Sequence, residues 1–547
     1  MFHRFVAVLA ALFASAPAFA QSYDVYENGK VFTSRDDRPY AEAFAVRDGK
    51  VVAVGSTFDL RVLYPPTKAN VRRIDLGGRT VVPGLVDAHS HVAPLGHPSW
   101  FVNDPSFVPG PGPTAAEVVA LVTARAATVP AGTPILAIVS TAWYATAGDD
   151  PRALLDAAAP NHPVVGVDWS GHGNSVNSTM LAMAGFVDGA PHPYGGRLSR
   201  DASGRLTGYV QELAEVAIFK ALADLLPTEL YAGAYAQYAQ DALALGYTTT
   251  FDIPFVLSDA RAAQVHALQP VAHFLPVCII DSEGEQCQPG SDGTIRRKVF
   301  LDGGPVDCST HVTVPYLAPE TCPAASAPWL GLEDITDAQL DSVLADVLAR
   351  GGHLLVHALG NGAVEQLLTR LEAQPSVDWS SRVTLEHGDM VTPAQVARVA
   401  ALGIPVVQNP THIPALLPLF PLRYEASLYA EAQPLRSLLT AGIPLAFGSD
   451  TFGSPTSPWV DVLLAVAHPG RPSEGITVAE AVTAYTRTAA RVRGIPGGYL
   501  AAGLPATFAV LSQDVFTAPL EALPLTSSVL TVVDGVTRWS TGTLSAR

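Results

Sequence analysis

The sequence predicts an α/β fold: a (β/α)8 barrel of the TIM type with a large insertion after its first strand, joined to a small β-sandwich formed from both chain ends. Two observations support this prediction. The middle of the chain alternates short apolar runs with helical patterns, which is typical of a parallel α/β architecture. Both ends of the chain instead carry short β-rich runs separated by turn dipeptides.

These patterns divide the chain into predicted domains. Residues 1–20 form a targeting segment, and residues 21–80 and 496–547 form the two parts of the sandwich. Residues 81–495 form the barrel, and within them residues 97–244 contain more strands, helices and loops than one strand–helix step needs. We interpret residues 97–244 as an insertion, and a separate domain is the alternative.

Eight apolar runs in the middle of the chain are predicted strands, which is the number that a (β/α)8 barrel needs. They are Val81–Ala88, Tyr247–Asp252, Val271–Ile280, Arg297–Asp302, His353–His357, Arg382–Glu386, Ile404–Gln408 and Leu445–Gly448. Helical periodicity lies between several of them. The clearest helical patterns are Ala338–Arg350, Ala363–Glu372, Pro393–Leu402 and Leu435–Ala441.

The terminal segments are predicted to be strands joined by tight turns. The β-rich runs are Val25–Tyr26, Lys30–Thr33, Ala43–Val46, Lys50–Val54, Thr507–Leu511, Val529–Val533 and Val536–Trp539. Three dipeptides of the hairpin type lie among them, at Asn28-Gly29, Asp48-Gly49 and Asp534-Gly535.

Composition limits the classes of function. The chain has 547 residues, of which 48% are apolar and 15% charged, so it is globular and has enough length for a large core. A formal net charge of −17 argues against nucleic acid or an anionic membrane surface as a partner. After residue 20, no apolar run is long enough and free enough of Pro, Gly and charge to span a bilayer. The oligomeric state stays open.

The first twenty residues have the pattern of a signal peptide. His3 and Arg4 form a weakly basic start, Phe5–Phe13 is apolar, and Ala18-Phe19-Ala20 fits a small-x-small cleavage site before Gln21. We therefore expect an exported protein, periplasmic or secreted, and an N-terminal apolar helix is the alternative.

An oxidising compartment would permit disulfides between the four cysteines. Three connectivities are possible, and we prefer the two shortest loops, Cys278–Cys287 and Cys308–Cys322.

The first predicted barrel strand leads into two histidines. Asp87, His89 and His91 are spaced two apart, so in a strand they would project from one face. Two neutral imidazoles on one face can form half of a metal site. The alternative is a pair of partly exposed loop histidines.

Other predicted strands carry polar residues at or near their ends. Lys298, His357, His387 and Asp450 accompany the fourth, fifth, sixth and eighth strands. With the histidines of the first strand, five predicted strands carry such residues. Barrel enzymes keep their chemistry at the carboxyl ends of strands, so this recurrence favours a functional site over residues that serve only packing.

Lys298 is unusual because the chain contains only five lysines. An unpaired ammonium is costly to bury. One interpretation is a buried pair with Asp302. The other is a lysine whose chemistry arginine cannot replace, because lysine can be neutralised and modified.

The chain resembles the amidohydrolase superfamily, specifically its third-type branch, which includes enzymes similar to N-substituted formamide deformylase. The resemblance covers nearly the whole mature chain and rests on the order and spacing of many short motifs. They are N-G-K-V-F-T, D-G-K-V-V-A-V-G, V-V-P-G-L-V-D-A-H-S-H, S-G-H-G-N-S-V-N-S, T-G-Y-V-Q-E-L-A, K-V-F-L-D-G, V-H-A-L-G-N-G-A-V, L-E-H-G-D, Q-N-P-T-H, G-S-D and A-Y-T-R-T-A-A.

The resemblance implies a site with two divalent metal ions. Its ligand set would be His89, His91 and Asp450 for one ion, His357 and His387 for the other, and carboxylated Lys298 as the bridge. Zinc is the default for such a nitrogen- and oxygen-rich site, while manganese, iron or a single metal stay open.

The implied reaction is hydrolysis of a C–N amide-type bond in a small molecule. A bound metal lowers the pKa of water to about 7 and supplies hydroxide, and Asp450 would act as general base and then general acid. The same chemistry would serve an ester, a lactone or a cyclic amide. A non-catalytic binding or scaffold barrel is the alternative of another class, and the complete ligand set argues against it.

Four further residues match family positions. His172 and Asn177 in the insertion would face the substrate or serve the loop structure, and Glu212 would bind substrate or approach the metals. His412 would bind a substrate anion or an oxyanion. The chain departs from the family pattern at Asn361 and Thr507, where the family usually has aspartate.

Overall fold

A computed structural model of the chain describes residues 22–104, 110–268, 273–290, 292–323 and 328–544, and the predicted targeting segment lies outside them. The strands are β1 (Tyr23–Glu27), β2 (Lys30–Phe32), β3 (Tyr40–Ala41), β4 (Ala43–Arg47), β5 (Lys50–Gly55), β6 (Val71–Asp75), β7 (Thr80–Pro83), β8 (Leu85–Ser90), β9 (Ile135–Val139), β10 (Val164–Asp168), β11 (Gly173–Val176), β12 (Gly196–Arg200), β13 (Leu206–Glu212), β14 (Tyr247–Asp252), β15 (His273–Pro276), β16 (Cys278–Ile279), β17 (Arg296–Phe300), β18 (His353–Ala358), β19 (Val383–His387), β20 (Val406–Gln408), β21 (Leu445–Phe447), β22 (Phe508–Leu511), β23 (Ser528–Val533) and β24 (Val536–Ser540). The α-helices are α1 (Thr57–Leu63), α2 (Ala115–Ala126), α3 (Thr141–Thr146), α4 (Pro151–Ala158), α5 (Ser178–Met183), α6 (Leu213–Ala223), α7 (Thr228–Leu245), α8 (Asp259–Ala267), α9 (Asp337–Arg350), α10 (Asn361–Glu372), α11 (Pro393–Leu402), α12 (His412–Leu416), α13 (Phe420–Arg423), α14 (Ala426–Tyr429), α15 (Leu435–Thr440), α16 (Pro458–Ala467), α17 (Val478–Thr483) and α18 (Ala489–Val492).

Strands from both ends of the chain share one sheet. β22 pairs antiparallel with β7, with Ala509 opposite Val82. This sheet has the order β24-β23-β22-β7-β2-β3, and a second sheet has the order β5-β4-β1-β6. Phe44 of the second sheet packs edge-on against Phe508 of the first, with ring centroids 4.8 Å apart. Side chains of both sheets therefore contribute to one hydrophobic cluster.

Two of the three predicted hairpin turns are confirmed. Asp48-Gly49 joins β4 to β5 and Asp534-Gly535 joins β23 to β24, and all four residues have positive φ, as a type I′ turn requires. The prediction for Asn28-Gly29 is wrong, because β1 and β2 belong to different sheets. That turn carries the chain from one sheet to the other.

Parallel strands in the middle of the chain form two sheets, with the orders β15-β14-β8 and β16-β17-β18-β19-β20-β21. Their residues are almost entirely buried, as expected for strands that are covered on both faces. Beyond β21, the N–H of Asp450 donates to the carbonyl of His89 at 2.8 Å. Hydrogen bonds thus connect the end of the six-stranded sheet to the end of β8, and the fold is of the mixed α/β, TIM-barrel-like class.

Two predicted barrel strands prove to be two strands each. Val81–Ala88 is divided at Gly84 into the end of β7, which pairs with β22, and the start of β8, which pairs with β14. Val271–Ile280 is divided at Val277 into β15 and β16, and its first two residues lie outside the described ranges. In both cases the apolar run continues through the point where the chain changes sheets, so hydrophobicity alone could not reveal the change.

The predicted insertion contains a sheet of its own, with the order β12-β13-β11-β10-β9. The sheet confirms that this segment contains more strands than one strand–helix step needs, among them β9 and β10. The loop between β10 and β11 carries Trp169 and His172 to the cavity described below.

Both preferred disulfides are confirmed. Cys278 pairs with Cys287 and Cys308 pairs with Cys322, which ties down the loops that follow β16 and β17.

Candidate metal centre

The carboxyl ends of the parallel strands bring the six predicted metal ligands to one cavity of about 790 Å³. His89 lies near the end of β8 and His91 follows it, while His357 and His387 lie at the ends of β18 and β19. Lys298 lies within β17, and Asp450 follows β21. Five of the six are buried, and the side chain of Asp450 is 17% exposed to the cavity. The structure therefore brings the six residues together, five of them at or after strand ends and Lys298 in the middle of its strand, and their role as metal ligands stays a prediction.

The first cluster consists of His89, His91 and Asp450. One carboxylate oxygen of Asp450 lies 3.4 Å from Nε2 of His89 and 3.1 Å from Nε2 of His91. Nδ1 of His89 donates to Glu386 at 2.7 Å, and Nδ1 of His91 donates to the carbonyl of Ile253 at 3.0 Å. These outer contacts leave both Nε2 atoms directed at the same space, as metal-ligating histidines require.

The second cluster lies on the other side of Asp450. The imidazole of His357 packs against that of His387, with centroids 4.5 Å apart. Nδ1 of His387 donates to Oδ1 of Asn409 at 2.7 Å. Nε2 of His357 is buried and has no hydrogen-bond partner among the described residues. An unpartnered buried nitrogen is costly, and a metal ion would satisfy it.

Lys298 lies beside the first cluster. Its Nζ is 3.3 Å from Nε2 of His89 and 4.9 Å from the centroid of the Phe300 ring. The suggested pair with Asp302 is wrong: Asp302 accepts hydrogen bonds from backbone N–H groups, and no ion pair joins it to Lys298 in the described ranges. Burial lowers the pKa of Lys298 to about 8, although Glu386 and Asp450 oppose the shift.

The backbone is strained at three of the predicted site residues. His387, Asp450 and Glu212 have φ values of +65°, +53° and +55°. Side chains other than glycine seldom adopt such values, and residues that do are concentrated at functional sites. The local cost is consistent with side chains held in fixed directions toward the cavity.

Electrostatics keep the imidazoles in the form that binds metals. Burial lowers the pKa of His89 to about 4 and lowers the pKa values of His357 and His387 well below the ordinary value. Burial alone would raise the pKa of Asp450, but His89, His412 and His91 lower it well below its usual range. At neutral pH, His89, His357 and His387 are therefore neutral and Asp450 is ionised, as metal binding requires.

His412 lies between two carboxylates. Its Nδ1 is 2.8 Å from Asp389, and its Nε2 is 3.2 Å from the second carboxylate oxygen of Asp450. Burial would lower the pKa of His412, but Asp389 and Asp450 raise it to about 10. Both ring nitrogens thus contact protein carboxylates, and His412 also lines the cavity, so its predicted contact with a substrate anion stays a prediction.

The insertion contributes His172, whose ring lies 4.8 Å from that of His357 and lines the cavity. Its Nδ1 is 3.1 Å from Glu212, so these two predicted residues form a pair. Asn177 is used differently. Its side chain caps α5 through the N–H of Met180 and also bonds Val164 and His162, so it has the structural role that the sequence left open. Asn361 begins α10 and bonds Thr313, outside the ligand set.

The supporting residues were not predicted from sequence. Glu386, which holds His89, is itself held by Arg493 at 2.7 Å across 107 residues of chain. Asp87 accepts hydrogen bonds from the N–H and hydroxyl of Ser449, next to Asp450. Because these partners are far apart in sequence, no local sequence pattern predicts their contacts. The acidic residue Glu386, directly before His387, was a signal that sequence analysis could have used.

Two sets of side chains in the cavity could hold a metal ion: His89 with His91 and Asp450, and His387 with His412 and Asp450. A third set among the described residues, Asp259 with Cys278 and Glu285, includes a cysteine that is already in a disulfide. The family profile described as the amidohydrolase family matches residues 72–538. The chain belongs to the amidohydrolase family. An amidohydrolase of this kind is a metal-dependent hydrolase that acts on C–N bonds.

Relatives of this amidohydrolase extend over its length. N-substituted formamide deformylase of Arthrobacter pascens is 27% identical over 94% of this chain and 97% of its own. The fold is similar to uncharacterized metal-dependent hydrolases from Pyrococcus horikoshii (TM-score 0.66, 19% identity, 91% of this chain and 99% of that chain) and Pyrococcus furiosus (TM-score 0.62, 20% identity, 90% and 100%). Within the described ranges, no helix has the length and apolar character needed to cross a membrane.

Proposed function

We propose that this amidohydrolase uses two zinc ions to hydrolyse the amide bond of a small molecule. The observation that carries the proposal is the convergence of His89, His91, Lys298, His357, His387 and Asp450 at one end of the parallel sheets. The name of the relative from Arthrobacter pascens supports an amide-type substrate.

The donor set fits divalent metal ions. His89, His91 and Asp450 would hold one ion, and His357 and His387 would hold the second. The buried Nε2 of His357 supports this assignment because it makes no hydrogen bond within the described residues, where its nearest carboxylate oxygen, Oδ1 of Asp302, is 3.6 Å away. When bound, the ions lower the pKa of water and polarise a substrate carbonyl.

Lys298 would bridge the two ions after carboxylation. Its neutral amine attacks carbon dioxide, a new N–C bond forms, and one proton leaves to solvent, so the product is an anionic carbamate. Burial supports this step because it favours the neutral amine. The carboxylation step also explains why lysine is needed at position 298, since arginine stays protonated and cannot react in this way.

Asp450 would move the proton in the reaction. One of its carboxylate oxygens faces His89 and His91, and the other faces His412. In this position it accepts a proton from the attacking water and returns it to the leaving amine, so that amide and water become acid and amine. His412, fixed by Asp389, would orient the carboxylate.

We also infer the larger arrangement that this chemistry needs. The parallel sheets would close into a (β/α)8 barrel spanning residues 81–495, with residues 97–244 as an insertion. Residues 21–80 and 496–547 would pack as a β-sandwich. Export to the periplasm or the medium is supported by the signal-peptide pattern of residues 1–20 and by two disulfides, which persist in oxidising compartments.

The test combines metal analysis with a hydrolysis screen. Purified protein is loaded with zinc in the presence of bicarbonate, and its metal content is measured. It is then incubated with N-substituted formamides, N-acyl amines and cyclic amides, and with esters and lactones for comparison. About two zinc ions per chain and hydrolysis that is lost on chelation are expected. Hydrolysis of esters or lactones alone would contradict the amide assignment, and no bound metal with no hydrolysis would favour a scaffold.

A further inference from the structure

The cavity beside the metal ligands is walled by apolar side chains. Phe101, Ile138, Trp169, Leu416, Phe452 and Leu464 contribute to this wall. The indole N–H of Trp169 donates to Ser140 at 2.9 Å, so the polar edge of that ring is already satisfied by the protein. The cavity lining also includes hydroxyl side chains, at Ser170, Thr411, Ser449, Thr451, Ser454 and Thr456, but most of its exposed surface is apolar.

Phe452 is held firmly in this wall. Its ring stacks on the imidazole of His91 with centroids 4.6 Å apart and an interplanar angle of 9°. On the insertion side, a Cβ at Gly171 would lie 2.9 Å from Cζ of Phe452, so only glycine allows the loop to approach the ring so closely. A flat apolar surface thus begins directly beside the first ligand cluster.

Apart from the metal centre proposed above, the cavity offers a substrate carboxylate no uncommitted cationic side chain among the described residues. Among its described lining residues there is no arginine, and the one lysine is Lys298 of the ligand set. The imidazoles of His172 and His412 also line the cavity, but each is paired with a buried carboxylate. The internal stretches that the structure does not describe contain no lysine or arginine in the sequence.

We infer that the substrates are uncharged amides with an aromatic or other flat apolar substituent, and that N-acyl amino acids with a free carboxylate are excluded. The inference rests on the proposed amide hydrolysis and narrows it to one substrate class. A carboxylate on the substituent would leave water for an apolar wall with no counter-charge, which is strongly unfavourable. Substrates with a carboxylate are rejected because the wall offers them no cationic side chain, whereas apolar substrates are stabilised by contact with its aromatic rings.

Three matched compounds test the inference with the zinc-loaded protein. N-(2-phenylethyl)acetamide lacks a second polar group, N-acetylphenylalaninamide adds a neutral carboxamide, and N-acetylphenylalanine adds a carboxylate of similar size. We expect kcat/KM for the two neutral amides to lie within about 10-fold of each other and the carboxylate to be slower by about 100-fold or more. Equal or faster hydrolysis of the carboxylate would overturn the inference.

A charge placed in the wall provides a second test. Phe101→Arg should raise kcat/KM for N-acetylphenylalanine relative to its carboxamide by about 10-fold, because it supplies the missing counter-charge. Val62→Arg adds the same charge on the exposed face of α1 and should leave the ratio unchanged. No change in the ratio with Phe101→Arg would count against the inference.

Binding separates this inference from the proposed reaction. If the zinc-loaded protein hydrolyses none of the formamides, N-acyl amines and cyclic amides of the screen above, the proposed reaction is wrong. In that case, or if only these three acetamides are not hydrolysed, calorimetry with Asp450→Asn tests the cavity. Binding of the neutral amides with weaker or undetectable binding of the carboxylate supports the inference. Tighter binding of the carboxylate, or no binding of any of the three, overturns it.

Discussion

The amine nitrogen of Lys298 lies 3.3 Å from Nε2 of His89, and both side chains are buried. Burial lowers the pKa of Lys298 to about 8 and that of His89 to about 4. If Lys298 and His89 were both protonated, two buried positive charges would lie in contact, which is energetically costly. A carboxylate on the lysine and a metal on the histidine would turn a crowded contact into a ligand set.

Lysine at position 298 should be required for metal binding. Lys298→Arg cannot be carboxylated, so we expect loss of at least one zinc ion per chain and a fall in kcat/KM of about 100-fold or more. Metal analysis and steady-state kinetics measure both effects. Lys220→Arg, at a partly exposed ion pair with Asp281, is the matched control.

Chemical rescue by short carboxylic acids is a second test of the role of Lys298. Lys298→Ala should regain part of its metal and activity in acetate or propionate, because the free carboxylate replaces the carbamate. Unchanged zinc content in Lys298→Arg would contradict the bridging role.

Asp450 should be needed for turnover more than for metal binding. Asp450→Asn removes the proton acceptor, so kcat should fall by about 10³-fold while most of the zinc stays bound through the histidines. The comparison variant is Asp241→Asn, on an exposed turn of α7, which should behave like the unmodified protein. Near-normal turnover by Asp450→Asn would show that another group moves the proton.

Asp389 should control the pH dependence of the reaction through His412. Asp389→Asn removes one of the carboxylates that raise the pKa of His412, so less positive charge would remain beside Asp450. The pKa of Asp450 would then rise, and the acid limb of the kcat profile should move to higher pH, with a loss of about 10-fold at its maximum. A lower kcat with an unmoved acid limb would indicate only a structural defect.

The pair of His172 and Glu212 should make stability depend on pH. Burial would lower the pKa of His172, but Glu212 raises it to about 9, above the value of 6.5 expected for the unfolded chain. A raised pKa stabilises the fold fully below pH 6.5, and this contribution is lost as pH rises through 9. Urea unfolding of the metal-free protein should show a penalty of about 2 kcal/mol for His172→Gln at pH 6 that shrinks by pH 9.5.

His97→Gln is the control for that measurement, at a half-buried histidine whose side chain bonds Ser99. An equal penalty for His172→Gln at both pH values would mean that the ring matters for packing and not for its charge.

The sequence was sufficient for the parts of the site that follow strand geometry. His89, His357 and His387 each end or closely follow an apolar run, and parallel strands bring such ends to one edge. It was insufficient where the apolar pattern continues through a change of sheet, as at Gly84. The hairpin predicted at Asn28-Gly29 was also wrong, because a dipeptide of this type can form either a hairpin turn or a turn that takes the chain from one sheet to another.

The supporting contacts were beyond the reach of the sequence. Arg493 donates to Glu386 and to the carbonyl of Ala88, which lie on strands of two different parallel sheets. His412 was expected to meet an anion of the substrate, and the anions it meets are Asp389 and Asp450 of the protein itself. Such pairings depend on tertiary packing, which local periodicity does not encode.

A crystal structure of the zinc-loaded protein, with anomalous data recorded on both sides of the zinc edge, tests the two-metal centre most directly. We predict two zinc peaks, one among His89, His91 and Asp450 and one at His357 and His387, with continuous density for a carboxyl group on Lys298 between them. An unmodified Lys298 remote from the metal, or zinc bound elsewhere, would contradict the binuclear centre proposed for this amidohydrolase.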